Sequence, residues 1–201
     1  MGIRIVDVPA MSAASQAAIT TAISGGVFTS NADNAALQYS SAPPNTNPVW
    51  VDLVQSGRSD FVIANTLIDF MNNLSDPRRS AYFDQNLGVG IYEGGPYGEN
   101  NSFSSYTHVS DIVIDPTNPA SLLDYAEVNF YLADAAERSI SGTPAAAAGF
   151  YNKGITASFN YWGLSDADAT AYLLKPNVAY ATAPGTWQVK IGNQLWLAMY
   201  N

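Results

Sequence analysis

A glycine- and asparagine-rich stretch, residues 92–106, carries the side chains of this 201-residue sequence that most suggest a chemical role. Four aromatic residues alternate there with glycine, asparagine and serine, and no hydrophobic period runs through them. An aromatic ring packs against the C–H face of a sugar, while amides and hydroxyls bond the sugar's hydroxyl groups. The composition therefore predicts contact with a neutral sugar, and the candidate residues are Tyr92, Tyr97, Asn100, Asn101, Phe103 and Tyr106.

The same aromatic side chains have two other interpretations. The loop could fold over neighbouring helices, in which case its rings would pack as a small satellite of the core. Its rings could also contact a protein partner, because Tyr and Phe are enriched at protein interfaces. Trp50, in the stretch NPVWVDLV, is a further ligand candidate, although its alternating apolar neighbours favour packing in the core or in an edge strand.

Catalytic chemistry finds little support in the sequence. His108 is the only histidine, and without cysteine it lacks the partners typical of a zinc site, so we expect a hydrogen-bonded loop histidine. The G-x-S-x-G pattern of a serine hydrolase is absent. Two carboxylates could hydrolyse a glycoside, but each candidate suits a cap, a turn or the surface equally well: Asp60, Asp69, Asp84, Glu93 and Glu99. We therefore predict a protein without enzymatic activity.

Known cofactor motifs are incomplete in this sequence. The glycines of residues 88–94 lack the spacing of a dinucleotide-binding motif, and no clear strand–helix unit surrounds them. Asp166 and Asp168 resemble the start of a calcium-binding loop, but Ala171 occupies the place of the turn glycine. Helix capping explains these two aspartates better. We expect no cofactor. A structural calcium ion bound by loop carbonyls and aspartate side chains is still compatible with the sequence.

The charge and hydrophobicity of the chain exclude several kinds of partner. The formal net charge is −9 and the 8 basic residues are scattered, whereas nucleic acids attract clustered Lys and Arg. An anionic membrane surface is disfavoured for the same reason. No run of about 18 apolar residues exists that would span a bilayer, and residues 1–11 do not resemble a signal peptide.

Helical periodicity dominates the chain on both sides of the aromatic stretch. Apolar residues recur at helical spacing, and capping or stop residues bound the segments. Ser59 or Asp60 is expected to cap the second helix, and Ser121 with Asp124 is expected to cap the third. The predicted helices are 12–24, 60–74, 121–138, 145–162, 166–174 and 187–200.

These elements predict a mostly α fold with little strand. The link 139–144 is short enough to force an antiparallel helix pair, and successive pairs suggest a tetratricopeptide-like layout, although no strict repeat is present. We expect one domain over residues 1–201, with one short strand at 111–114. Its helical scaffold is expected at 12–25, 59–75 and 121–200, and its irregular, loop-rich regions at 26–58 and 79–120.

Four stretches, taken together in their order and spacing, resemble the SusD/RagB family of nutrient-binding outer-membrane lipoproteins of Bacteroidetes. The resemblance runs over the whole chain and rests on SGRSDFVIANTLIDFMNNLSDPR (56–78), GGPYGENNSFSSYTHVSD (94–111), LLDYAEVNFYLADAAER (122–138) and YNKGITASFNYWGLSDADATAYL (151–173). This resemblance implies a mostly helical, SusD-like fold with tetratricopeptide-like helix pairs and an irregular, loop-rich face.

The resemblance also implies a function. Members of the family capture glycans or peptides at the cell surface without catalysis, and they cap a TonB-dependent, SusC-like transporter. The expected ligand is an oligosaccharide; the alternative is a helix-pair interaction module that binds only the transporter or a peptide. Family members are longer at both ends and begin with a lipidated cysteine. We therefore expect an internal fragment, soluble by itself and without the lipid anchor, of a surface-exposed outer-membrane protein.

Overall fold

The computed structural model describes residues 2–200, which divide into two compact units. Unit 1 contains the described residues up to Ala35 together with Leu123–Tyr161 and Ser165–Tyr200. Unit 2 contains Ala36–Leu122 and Trp162–Leu164. The expectation of one domain over the whole chain stays a prediction.

The secondary structure is mostly helical, as predicted. Helices occupy Gly2–Ile5 (α1), Ser12–Gly25 (α2), Pro48–Trp50 (α3), Asn65–Asn73 (α4), Arg79–Tyr82 (α5), Tyr125–Glu137 (α6), Pro144–Tyr161 (α7), Asp166–Leu173 (α8) and Trp187–Ala198 (α9). A π-helical segment, Val51–Gln55, continues α3, and single 3₁₀ turns lie at Pro9–Met11, Asn31–Asp33 and Phe103–Ser105. Two short strands, β1 (Ala35–Leu37) and β2 (Ala120–Leu123), pair with each other.

Helices α6 and α7 form the centre of unit 1 and are joined by a short link. Gly154 of α7 faces Phe130 of α6, and a Cβ added at Gly154 would lie 2.9 Å from the Phe130 ring. Glycine therefore allows the two helices to approach closely. Phe130 and Tyr151 also pack edge to face, with ring centroids 6.1 Å apart. This close pair, joined by a short link, is the tetratricopeptide-like pairing that the sequence predicts.

The start of α6 differs from the prediction. Residues 120–123 form β2 instead of a first helical turn, so the predicted start at Ser121 is wrong. Asp124 is the N-cap: its backbone is extended, and its Oδ1 accepts a hydrogen bond from the N–H of Glu127 at 2.7 Å. A short apolar run such as Leu122–Leu123 suits a strand as well as a helix, and the cap decides where the helix begins.

Helix α4 begins at Asn65, later than predicted. The preceding segment, Ile63–Ala64, is held in an extended form because Gly95 pairs with it and donates its N–H to the Ile63 carbonyl at 2.9 Å. The predicted cap by Ser59 or Asp60 is therefore wrong. A tertiary contact with a distant part of the chain, which local periodicity does not reveal, sets this helix boundary.

The remaining helix predictions agree with the structure to within a few residues. Ser165 caps α8, because its hydroxyl accepts from the N–H of Asp168 at 3.2 Å while the Asp168 carboxylate accepts the Ser165 N–H at 3.1 Å. Gly163 follows α7 with φ of 78°, a left-handed conformation that glycine adopts without strain. The predicted strand at 111–114 is wrong, since that segment forms a turn.

A buried ion pair fixes the chain of unit 2 between α4 and α5. The side chains of Asp76 and Arg78 are both 0% exposed, and Arg78 Nη2 lies 2.6 Å from Asp76 Oδ2. The Asp76 carboxylate also accepts the backbone N–H of Arg78 at 2.9 Å. Charge-assisted hydrogen bonds of this kind hold the turn that carries the chain toward the aromatic stretch.

Candidate ligand-binding surfaces

The aromatic loop, defined as residues 92–106, is firmly attached to the rest of unit 2. Gly95 donates its N–H to the Ile63 carbonyl and accepts the N–H of Asn65, both at 2.9 Å. The loop approaches α4 so closely that a Cβ on Gly94 would lie 2.4 Å from the Cα of Asn65. Farther along, Thr107 donates its N–H to the Glu93 carbonyl at 2.8 Å. Backbone hydrogen bonds and close packing against α4 therefore hold this irregular loop in place.

Hydrogen bonds also close the tip of the aromatic loop. The Asn101 side chain donates Nδ2–H bonds to the carbonyls of Pro96 at 3.0 Å and Glu99 at 3.1 Å. The N–H of Tyr97 donates to Asn65 Oδ1 at 3.2 Å. Because Asn101 uses its amide to hold the turn, the exposed side chains that the turn offers to a ligand are those of Tyr97, Glu99 and Asn100.

Tyr97 and Tyr92 have opposite surroundings. Tyr97 is 82% exposed, whereas Tyr92 is only 7% exposed. Tyr92 packs on Phe83 with ring centroids 5.9 Å apart, and the Arg79 guanidinium lies 5.3 Å from its ring centroid. Burial raises the pKa of Tyr92, and the charge of Arg79 opposes that rise. Because the Tyr92 ring lies in the core, a sugar at the surface cannot pack against it as predicted.

Phe103 and Tyr106 are half-buried and belong to the base of the loop. The Phe103 ring stacks on the ring of His108, with centroids 3.8 Å apart, and His108 Nε2 lies 2.9 Å from the Phe103 carbonyl. A carbonyl only accepts, so Nε2 carries a proton. The Asn86 side chain donates to the Tyr106 carbonyl at 3.0 Å and accepts the N–H of His108 at 3.1 Å. The expected hydrogen-bonded loop histidine is confirmed.

Trp50 lies apart from the aromatic loop in the sequence and ends α3, where it is half-buried. Asn47 caps this helix by accepting the N–H of Val49 at 3.0 Å. The amide of Asn47 also donates to the carbonyls of Val113 at 2.8 Å and Asp115 at 3.0 Å. These bonds tie α3 to the turn at 113–115, and Trp50 remains a ligand candidate only as a partly accessible ring.

The carboxylates considered for hydrolysis have other roles or lie at the surface. Asp60 forms a two-point ion pair with Arg58, at 2.7 Å for Nη2 to Oδ2, and these hydrogen bonds lower the pKa of Asp60. A catalytic general acid needs the opposite shift. Asp84 accepts the N–H of Gln85 at 2.6 Å. Among residues 2–200, no group of three or more His, Asp or Glu side chains gathers as metal ligands would.

A polar groove in unit 1 was not anticipated from the sequence. It has a volume of about 550 Å³ and lies between the turn at residues 29–32 and the outer face of α7. Its polar α7 residues are Asn152, Lys153, Thr156 and Asn160. More than a hundred residues separate the two walls in the sequence. The only local signal was the recurrence of polar residues every four positions along α7.

The fold defines a class: a mostly helical protein with tetratricopeptide-like helix pairs and irregular loop segments. The chain belongs to the SusD-like family described as "Starch-binding associating with outer membrane", which matches residues 1–201. The predicted family and the predicted fold class are thereby confirmed. No curated protein matches the chain. In the described part of the chain, no helix has the length and apolar character needed to cross a bilayer.

Several solved structures share this fold. A chitin-binding protein matches with 26% identity and a TM-score of 0.79, over 100% of this chain and 46% of its own. A SusD homologue from Bacteroides fragilis matches with 27% identity and a TM-score of 0.71, over 87% of this chain and 43% of its own. A SusD homologue from Bacteroides thetaiotaomicron matches with 23% identity and a TM-score of 0.79, over 99% of this chain and 46% of its own. At that identity the match shows the fold alone. The chain thus spans less than half the length of these structures.

Proposed function

We propose that this chain supplies a glycan-binding surface to a non-catalytic, outer-membrane-associated nutrient-binding protein. The observation that carries the proposal is the exposed ring of Tyr97, held on a turn that is closed by its own hydrogen bonds. Because the backbone that carries the ring is already ordered, little further backbone freedom is lost when a sugar packs against the ring, so more of the contact energy appears as affinity. The family's description as starch-binding supports the same conclusion.

The exposed residues around Tyr97 suit a neutral, hydroxyl-rich ligand, because they include no cation and the exposed carboxylate of Glu99 accepts hydrogen bonds from hydroxyls. Asn100 adds an amide that both donates and accepts, as sugar hydroxyls require. Gly98 adopts φ of 83° and places no side chain beside the ring. Phe103, Tyr106 and Trp50 are at least half-covered, so in this proposal they support the site or contact its margin. We propose no catalytic residue.

The test is a titration of the chain with malto-oligosaccharides and chito-oligosaccharides by isothermal calorimetry, before and after Tyr97→Ala. We expect Tyr97→Ala to weaken the affinity about fivefold, since a well-placed ring contact contributes on the order of 1 kcal/mol. The variant should fold normally because the side chain is almost fully exposed. Absence of binding to any neutral glycan, together with clear binding to a peptide mixture, would overturn the proposal.

A protein-interaction role is a second candidate, and a different residue supports it. Val89 is 94% exposed on a turn of unit 2 between two glycines with positive φ. Ile91, two residues further on, is 48% exposed, and two neighbouring apolar side chains of this kind are ones that a protein partner would cover. In the whole protein, we propose, the partner is a TonB-dependent, SusC-like transporter to which the bound glycan is delivered.

Two variants separate the roles. Val89→Ala should leave glycan affinity unchanged and weaken co-purification of the full-length protein with its transporter. Tyr97→Ala should do the reverse. If Tyr97→Ala weakens only transporter binding, the aromatic turn is a protein contact and the glycan role assigned to it is wrong.

A further inference from the structure

The polar groove of unit 1 has a rigid wall on the side of residues 29–32. The Asp33 carboxylate accepts the N–H of Thr29 at 2.7 Å, the hydroxyl of Thr29 at 3.0 Å and the N–H of Ser30 at 3.0 Å. Asn31 then donates its Nδ2–H to the carbonyl of Ala157 in α7 at 2.9 Å. These bonds set the turn against α7 before any ligand arrives.

The opposite wall is a row of polar side chains on α7. Asn152, Thr156 and Asn160 lie four residues apart, so they follow one another along one helix face at about 6 Å intervals. Asn160 gives one N–H to the Asp166 carboxylate at 2.9 Å. Within residues 2–200, the side chains of Asn152 and Thr156 have no hydrogen-bond partner. The row therefore offers groups that both donate and accept.

Asn31 adds an unusual acceptor to the groove. Its Nδ2 is committed to Ala157, but its Oδ1 is shielded from solvent and has no hydrogen-bond partner in the described chain. A buried acceptor without a partner is destabilising, because it has lost its bonds to water and gained none in return, so native proteins rarely keep one without a reason. A donor that entered the groove and reached Oδ1 after a small side-chain adjustment would recover this energy.

The charge of the lining selects the ligand class. Lys153 is the only cation among the described lining residues, and the chain has a net charge of −9, which disfavours a polyanion. Asp33, the only carboxylate nearby in the turn, already accepts three hydrogen bonds. Amides and hydroxyls, which both donate and accept, match ligand hydroxyls, and Tyr125 adds an aromatic ring beside them.

We propose that the groove between residues 29–32 and α7 binds a segment of a neutral, hydroxyl-rich oligosaccharide, as a second contact separate from the Tyr97 turn. This inference rests on the proposed glycan-binding function. A groove of about 550 Å³ lies within the size range of small-ligand sites. An extended peptide fits less well, because it needs pockets for alternate side chains and the aliphatic lining residues are Ala32 and Ala157.

The experiment is a titration of isotope-labelled chain with malto- and chito-oligosaccharides, followed by NMR in the Tyr97→Ala background. We expect the amide resonances of residues 29–32 and 152–160 to shift, because removing Tyr97 leaves the groove intact. Adding Asn152→Ala and Thr156→Ala should weaken the remaining affinity about tenfold, as the loss of two hydrogen bonds predicts. Gly149→Ala, an exposed change on α7 outside the groove, should leave the affinity unchanged.

The outcomes distinguish this inference from the function on which it rests. If the unmodified chain binds an oligosaccharide but the groove resonances stay in place, the groove proposal is wrong and the function stands. If the chain binds no oligosaccharide at all, both fail. Shifts of the groove resonances with a peptide mixture, and not with oligosaccharide, would overturn the ligand class assigned here.

Discussion

The aromatic loop of unit 2 and the polar groove of unit 1 contain similar residue types, yet they use their polar groups in opposite ways. In the loop, the Asn101 amide donates its hydrogen bonds to the carbonyls of Pro96 and Glu99. In the groove, Asn152 and Thr156 lack hydrogen-bond partners within the described chain, and the Oδ1 of Asn31 is unpaired. Composition shows which groups are present, but the internal hydrogen bonds decide which remain available to a ligand.

The two regions also differ in what makes them rigid. The loop depends on backbone contacts with the segment before α4 and on the stacking of Phe103 with His108. The groove depends on the Asp33 carboxylate, which accepts the N–H groups of Thr29 and Ser30, and on the regular surface of α7. Removing the backbone contacts should therefore disorder the loop and leave the groove intact, and removing the Asp33 carboxylate should do the reverse.

The largest effect is expected from Asp76→Ala in unit 2. This change leaves Arg78 as a buried charge without its carboxylate, and breaking such a pair costs about 3–5 kcal/mol. The free energy of unfolding, measured by urea denaturation, should fall by that amount. Because the pair holds the chain between α4 and α5, amide hydrogen exchange in the aromatic loop should rise.

Asp60→Ala is the matched control, since it removes an ion pair of the same type at the surface of the same unit. Asp60 and Arg58 are both well exposed, and solvent screens their attraction. Urea unfolding should be nearly unchanged. Equal losses from Asp76→Ala and Asp60→Ala would contradict the role assigned to burial.

A smaller effect is expected from Gly94→Ala. The new Cβ would lie 2.4 Å from the backbone of Asn65, so the loop must move away from α4. We expect a destabilisation of about 1–3 kcal/mol, together with weaker glycan binding through Tyr97. Gly149→Ala in α7 meets no atom within 4 Å and should stabilise the chain by about 0.5–1 kcal/mol. A Gly94→Ala variant as stable as the original chain would show that the loop is not pinned there.

Most of the fold could be predicted from the sequence because local signals were strong. The cap at Ser165 and the glycine stop at Gly163 both specify a helix boundary within a few residues, and the structure confirms them. The failures have a common cause. The starts of α4 and α6 depend on strand-like pairing of Ala64 with Gly95 and of β1 with β2, and no local pattern announces a distant partner.

The candidate binding surfaces were less predictable for a related reason. Residue types identified the aromatic loop, but not that Tyr92 would enter the core while Tyr97 would remain exposed. The groove was missed altogether, because it exists only where residues 29–32 meet α7. A polar residue every four positions on α7 was visible in the sequence, yet without its opposite wall such a row indicates only a solvated helix face.

The smallest predicted effect is a pH dependence confined to the groove. Three hydrogen bonds from Thr29 and Ser30 lower the pKa of Asp33 in the folded chain below its ordinary value. A lowered carboxylate pKa means that the hydrogen bonds stabilise the turn fully above the unfolded value of about 3.9. This stabilisation is lost as the pH falls through the lower, folded value. The amide resonances of Thr29 and Ser30 should therefore titrate with a midpoint below about 3.9.

Asp33→Asn tests whether this carboxylate causes the acid transition, because an amide does not titrate and is a weaker hydrogen-bond acceptor. The variant should lose the acid transition at Thr29 and Ser30 and should bind oligosaccharide more weakly in the groove at neutral pH, while binding at Tyr97 is unchanged. A midpoint at or above the ordinary carboxylate pKa would contradict the bonding pattern around Asp33. It would also remove the reason to regard the turn as a preformed wall, because a turn without that carboxylate anchor would have to be ordered by the ligand itself.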